Sequence, residues 1–197
     1  HGRFTPAKAR ARAISLLGRM GVPAPERAVA SYPHQYSGGM RQRVMLAMGF
    51  SNEPSLLIAD EPTTGLDVTT QAAIMRLLRD AAGDRQMSTV LITHDLAVIA
   101  ETCQQVHVMY AGQIVEQAGG HALFRTPRHP YTAGLLQAVP RLSGGRARLQ
   151  EIPGRVPRLD EMPSGCRFAD RCPKVASRCR EEAPMLRVVD GVDADDP

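Results

Sequence analysis

The chain has 197 residues, a formal charge of +4, 43% hydrophobic and 22% charged residues, the balance of an ordinary globular protein with room for one core or a core plus an appendage. No apolar run approaches the roughly 20 residues of a membrane-spanning helix, so any membrane role is expected to be peripheral. Charge is uneven: Arg3, Lys8, Arg10, Arg12, Arg19, Arg27, Arg41 and Arg43 face the single acid Glu26 at the front, while Asp190, Asp193, Asp195 and Asp196 crowd the end. The basic front suits phosphates, lipid headgroups or an acidic partner, and equally a solvated helix face.

Ala9, Ala13, Leu16, Leu17 and Met20 recur at helical spacing and predict a helix over Pro6–Met20, closed by Gly21. Pro23, Pro25 and Pro33 then predict irregular chain. A second helix is predicted from Ser37 to about Ser51. The short run Leu56–Ala59 reads as a fully buried strand, followed by a helix capped at Asp67 or Thr69 and ending near Leu78. Thr89–Thr93 reads as a second buried strand and Asp95–Glu101 as a short helix. Val106–Tyr110 and Gln113–Val115 form a hairpin turning at Ala111-Gly112. Short helices follow at Ala118–Phe124 and Tyr131–Ala138. Beyond Pro140 the composition shifts to Gly, Pro, Arg and Cys with little periodicity. The alternation of strands and helices predicts an α/β fold with a mainly parallel sheet. Residues 1–52 form a helical region, 53–118 the strand-bearing core and 119–197 an extension.

Three segments carry chemistry. Ser37-Gly38-Gly39 precedes a helix, where a hydroxyl and bare amides suit either a phosphate or simple capping. Leu56–Ala59 delivers Asp60 and Glu61 to the carboxyl end of a strand, where α/β sheets place ligands. There Asp60 can hold a Mg²⁺ shell and Glu61 can polarise a water attacking a γ-phosphate, or either can cap the next turn. Val90–Thr93 leads to His94 in the same geometry. A lone histidine there is usually structural, but this one is placed to hold the water-orienting carboxylate.

In this order, Ser37-Gly38-Gly39-Met40-Arg41-Gln42-Arg43, Leu56 through Asp67, and Leu91 through Asp95 resemble the ABC ATPase family across Tyr32–Val115. The resemblance implies a partial P-loop NTPase core with a helical signature region. It makes Ser37, Gly38 and Gly39, with Met40 and Gln42, the signature that serves a nucleotide held by the opposite subunit. Asp60 and Glu61 become the Walker B pair, Gly65-Leu66-Asp67 the D-loop and His94 the switch histidine, with ATP and Mg²⁺ as ligands. No G-x-x-x-x-G-K-S/T occurs in the chain, so the nest that cradles β- and γ-phosphates is not present and no turnover is expected of the chain alone.

Thr126 to Thr132, with His129-Pro130-Tyr131 at its centre, is similar to the C-terminal signature of ATP-binding subunits in oligopeptide, dipeptide and nickel importers. It also reads as a plain turn seating a helix. That branch implies two membrane permeases, a second ATP-binding subunit, an extracytoplasmic solute-binding protein and a place on the cytoplasmic face of the bacterial inner membrane. It also implies that part of the basic front docks on a permease. Cys166, Cys172 and Cys179, spaced C-x5-C-x6-C, resemble the family's cysteine extension, for which a 4Fe–4S cluster is implied with a fourth cysteine. Reduced thiols packed in a small cap fit the same pattern. Cys103 reads as a small buried side chain. A non-transport ABC ATPase acting on nucleic acid is the alternative function, and 4% aromatic content argues against it. A non-catalytic binding module is a third.

Overall fold

The computed structural model describes residues 4–83, 87–139 and 151–189. Arg3, the boundary at Pro140 and the acids Asp190, Asp193, Asp195 and Asp196 lie outside them. The chain forms two compact units, His1–His94 and Asp95–Pro197.

In the first unit α1 (Pro6–Arg19) starts at Thr5, whose hydroxyl accepts the Lys8 amide, with Pro6 in the first turn. Its apolar stripe buries Leu16 and Leu17 beside Met20, and packs against α3 (Gly38–Phe50), which contributes Leu46, Ala47 and the almost fully enclosed Phe50. At least three of the front arginines spend donors inside this unit, Arg10 on the Glu26 carbonyl at 3.2 Å among them. Arg12 binds the Ser51 carbonyl and the Glu53 carboxylate, and Arg43 binds the Met20 carbonyl at 2.8 Å. The front is therefore less available to a charged partner than the residue count suggests.

The stretch predicted as irregular contains a short helix α2 (Pro25–Ala28) and a 3-10 turn over Pro33–Gln35. Prolines start both, because the first helical position needs no amide donor. The Tyr36 hydroxyl ties the stretch together by donating to the Ala28 carbonyl at 2.6 Å.

The parallel strands β1 (Leu56–Asp60) and β2 (Ser88–Ile92) pair in register, with α4 (Val68–Gly83) between them in sequence. Full burial was the expectation for both strands, and the structure corrects it. Ala59 is buried, yet Leu56, Ile58, Val90 and Ile92 are 50, 63, 46 and 47% exposed. Strand side chains alternate between faces, so the register puts these four on one face. The other face meets the helices, with Leu57 against Gly49 of α3.

The second unit opens with α5 (Leu96–Thr102), capped by the Asp95 carboxylate on two amides. Cys103, at the end of α5, is half-buried rather than buried. The antiparallel hairpin β3 (Gln105–Tyr110) and β4 (Gln113–Gly119) follows. Its two-residue turn has φ of 46° at Ala111 and 79° at Gly112, the left-handed pair that matches strand twist. The described strands thus form one parallel and one antiparallel pair, and the predicted mainly parallel sheet holds only for the first unit.

Then come α6 (Gly120–Arg125), α7 (Pro130–Ala138) and α8 (Ser177–Glu181), with 3-10 turns at Leu159–Glu161 and Ala169–Arg171. The tail has no amphipathic period, yet it buries Phe168 and Ala169.

Candidate functional site

The end of β1 turns sharply. The Glu61 amide donates to the Ile92 carbonyl of β2 at 2.9 Å, which anchors the turn to the strand pair. Glu61 itself adopts a left-handed φ of 46°, a conformation costing a non-glycine residue about 1–3 kcal/mol unless its surroundings enforce it. The enforcement is visible. The Thr64 amide closes the turn on the Glu61 carbonyl at 3.2 Å, the Thr64 hydroxyl donates to Glu61 Oε2 at 2.7 Å, and His94 Nδ1 lies 2.7 Å from Oε1. Residues 33 positions apart thus meet at one carboxylate.

These bonds stabilise the charged form. The hydrogen bonds from His94 and then from Thr64 lower the Glu61 pKa below its ordinary value, against the opposing effect of desolvation. An ionised carboxylate only accepts, so Nδ1 of His94 carries the proton in this contact. Asp60 is exposed at the strand end, and its carboxylate is an oxygen donor of the kind Mg²⁺ accepts.

A second cluster forms where α3 and α4 begin. Ser37 caps α3 by accepting the Met40 amide at 3.3 Å. A Cβ on Gly38 would sit in ordinary contact with the Leu66 side chain at 3.7 Å, whereas one on Gly39 would sit 2.8 Å from Thr70, so it is Gly39 that lets the α3 start lie so close to the Leu66–Thr70 segment. Asp67 caps α4, its carboxylate accepting the Thr70 amide at 2.9 Å and the Thr70 hydroxyl at 2.6 Å. Those bonds lower its pKa. The structure therefore brings Glu61 to His94, and Gly38 and Gly39 to Leu66 and Thr70, with the 61–67 turn joining the two clusters. Met40 and Gln42 lie in the first turns of α3, and Gly65 within that turn at φ 74°.

In the second unit the His129-Pro130-Tyr131 stretch is held from below. The buried Glu116 of β4 accepts the amides of Arg128 and His129 at 2.7 and 2.9 Å. His129 then caps α7 by accepting the Tyr131 amide on Nδ1 at 3.1 Å, which requires that nitrogen to be unprotonated. Burial lowers its pKa, and the Glu116 charge only partly opposes this. Around this point Tyr110 packs edge to face on Phe168, and Tyr131 lies tilted against both rings. Arg171 lies over the Tyr110 ring and donates to the carbonyls of Ile152 and Pro153, and Arg167 donates to the Ala111 carbonyl.

Among the described residues the cysteines do not gather into a metal site. Cys166, Cys172 and Cys179 are free and half-buried, and among the described residues no group of three or more His, Cys, Asp or Glu is placed to hold a metal ion. What joins this region is backbone: the Cys166 amide donates to the Cys179 carbonyl at 2.8 Å, and a Cβ on Gly165 would come within 2.5 Å of that same oxygen. Only glycine permits the approach. The residues do not fit an iron–sulfur group, and the reading of this tail as packed thiols is the one the geometry supports.

Thr64, Glu116, Arg167 and Arg171 were not singled out by the sequence. Glu116 carried the one available signal, an acid in an otherwise strand-forming run; the others announce themselves only through their partners.

Fold and site together define part of an ABC-type ATPase cassette. Residues 3–64 match the ABC transporter family model, and residues 115–179 match the model of the oligopeptide/dipeptide transporter C-terminal region. A probable peptide ABC transporter ATP-binding protein of Sinorhizobium fredii is 53% identical over 94% of this chain and 56% of its own length. The dipeptide transport ATP-binding protein of Escherichia coli is 51% identical over 91% and 55%. Among solved structures, a dimeric bacterial ABC transporter cassette is 30% identical with a TM-score of 0.53, covering 60% of this chain and 50% of that one. A component of the cbiONQ ABC transporter complex of Clostridium perfringens is 29% identical with a TM-score of 0.55, covering 63% and 48%. The chain belongs to the ABC transporter ATP-binding proteins, in the oligopeptide/dipeptide group, and spans about half the length of the relatives it matches.

Proposed function

We propose that the protein carrying this chain is the ATP-hydrolysing subunit of an importer for peptides or a related solute such as nickel. The observation that supports it most is the meeting of Glu61 and His94 at 2.7 Å beyond a parallel strand pair, in a chain about half identical to peptide and dipeptide transport proteins. Glu61, held ionised, takes the role of polarising the attacking water, and His94 holds that carboxylate on the side facing the γ-phosphate. Asp60 is the residue to hold Mg²⁺, which when bound neutralises phosphate charge. Ser37, Gly38 and Gly39, with Met40 and Gln42, lend hydroxyl and amide donors to a nucleotide on a second ATP-binding subunit. Gly65, Leu66 and Asp67 keep that donor loop seated.

The assembly contains two permeases, fed by an extracytoplasmic solute-binding protein, and lies on the cytoplasmic face of the bacterial inner membrane. In this reading the permeases supply the passage; no described helix is long and apolar enough to cross a membrane.

The test is phosphate release by the full-length subunit reconstituted with its permeases in vesicles. Glu61→Gln is expected to retain ATP binding and lose turnover by at least about 100-fold. Residues 1–197 alone, without a phosphate nest, are expected to release no phosphate above background. Steady Mg²⁺-dependent turnover by that chain contradicts the reading.

A further inference from the structure

We infer that Thr64 is a positioning residue for hydrolysis, its hydroxyl fixing the orientation in which the Glu61 carboxylate meets the attacking water. The inference rests on the proposed role of Glu61 and adds the group that aims it.

The Glu61 side chain ends in a carboxylate free to swing about its side-chain bonds. One hydrogen bond restrains one oxygen and leaves the plane free to pivot about it. Two bonds on opposite oxygens fix both position and tilt, and the turn supplies both: His94 Nδ1 at Oε1 and the Thr64 hydroxyl at Oε2, each at 2.7 Å. The anchors differ in mechanical quality. His94 is 80% exposed along its side chain and comes from a distant point in the sequence. Thr64 lies three residues along the same tight turn, and its amide already holds the Glu61 carbonyl at 3.2 Å. Its hydroxyl therefore works from a base fixed relative to Glu61 itself. Each carboxylate oxygen has a second lone-pair site, so this grip leaves room for a water while setting the direction from which it is polarised. Misplacing a reacting group by an ångström costs about 100-fold in rate, which is why aim matters here more than attraction.

Backbone and side-chain roles of Thr64 separate cleanly. Valine keeps the shape and the amide and removes only the hydroxyl. Serine keeps both donors and removes the methyl. Thr64 is exposed, so neither change opens a core.

In the full-length subunit assembled with its permeases, Thr64→Val is expected to lower kcat roughly tenfold with KM for ATP within about twofold of wild type. Thr64→Ser is expected to stay within about threefold of wild type in kcat. A valine variant as fast as wild type overturns the inference, as does a serine variant as slow as valine, or a KM that rises in step with the loss of kcat. If the valine variant fails to assemble, Thr64→Ala replaces it under the same comparisons. Glu61→Gln in the same vesicles separates the two ideas. If it leaves turnover intact, the role of Glu61 fails; if it abolishes turnover while Thr64→Val does not slow it, only the aiming role fails.

Discussion

Glu116 shows how one buried acid can organise a whole motif. It accepts two consecutive amides, those of Arg128 and His129, which would otherwise be left without partners at the start of α7. Truncating it removes two charge-assisted bonds and strands both donors. Glu116→Ala is expected to destabilise the second unit by about 2–4 kcal/mol, and Glu116→Gln by less, since the amide oxygen still accepts one. Urea unfolding of the two variants measures this. His129 adds a pH dependence. Its folded pKa lies below the ordinary value because burial disfavours the cation, so below about pH 6.5 the unfolded chain binds a proton that the folded unit refuses. Stability from this residue is therefore complete above that pH and declines as the pH falls toward the lowered pKa. His129→Asn keeps an acceptor in the capping position but does not titrate, and its unfolding midpoint is expected to change less between pH 7.5 and 5.5 than that of wild type.

Thr132 is a different case at the same scale. It is 1% exposed and its hydroxyl has no hydrogen-bond partner among the described residues. Thr132→Val removes an unsatisfied buried group at nearly constant shape, and is expected to raise stability by about 1 kcal/mol, read as a higher thermal midpoint.

At the scale of elements, what the sequence revealed depended on how local the signal was. Helix α1 was legible from the helical spacing of its apolar residues, and the start of α3 from Ser37, which caps an amide three residues on. The hairpin was legible from Ala111-Gly112. Helix α2 was missed because Pro25 was read as a breaker when it was a starter. The carboxyl-end placement of Asp60, Glu61 and His94 followed from strand order alone, but the Thr64 bond did not, since nothing in the spelling of a turn says which hydroxyl folds back. Strand burial failed for a similar reason. Leu56, Ile58, Val90 and Ile92 match a strand buried on both faces, and only the packed structure tells which face the helices cover. The cysteine spacing left both a cluster and packed thiols open, and among the described residues the three thiols do not gather at one point.

At the scale of the molecule, the exposed apolar face of β1 and β2 governs how the 197-residue chain behaves in solution. Four large aliphatic side chains on one face of a two-stranded sheet favour association through that face. Replacing Ile58 and Val90 by threonine keeps β-branched residues in the strands while making the face polar, and light scattering is expected to show less association of the double variant. An unchanged scattering profile would place the sticky surface elsewhere.

The grip of Arg167 and Arg171 on the second unit has a consequence for tolerance to change. Both arginines seize oxygens of the main chain, at Ala111, Ile152 and Pro153, and every amino acid carries such an oxygen. The gripped positions are thus interchangeable as far as the grip is concerned, whereas Arg171 is not: a lysine has no planar fork to span the neighbouring Ile152 and Pro153 carbonyls. Mutational freedom at this contact is one-sided, wide on the side that is held and narrow on the side that holds.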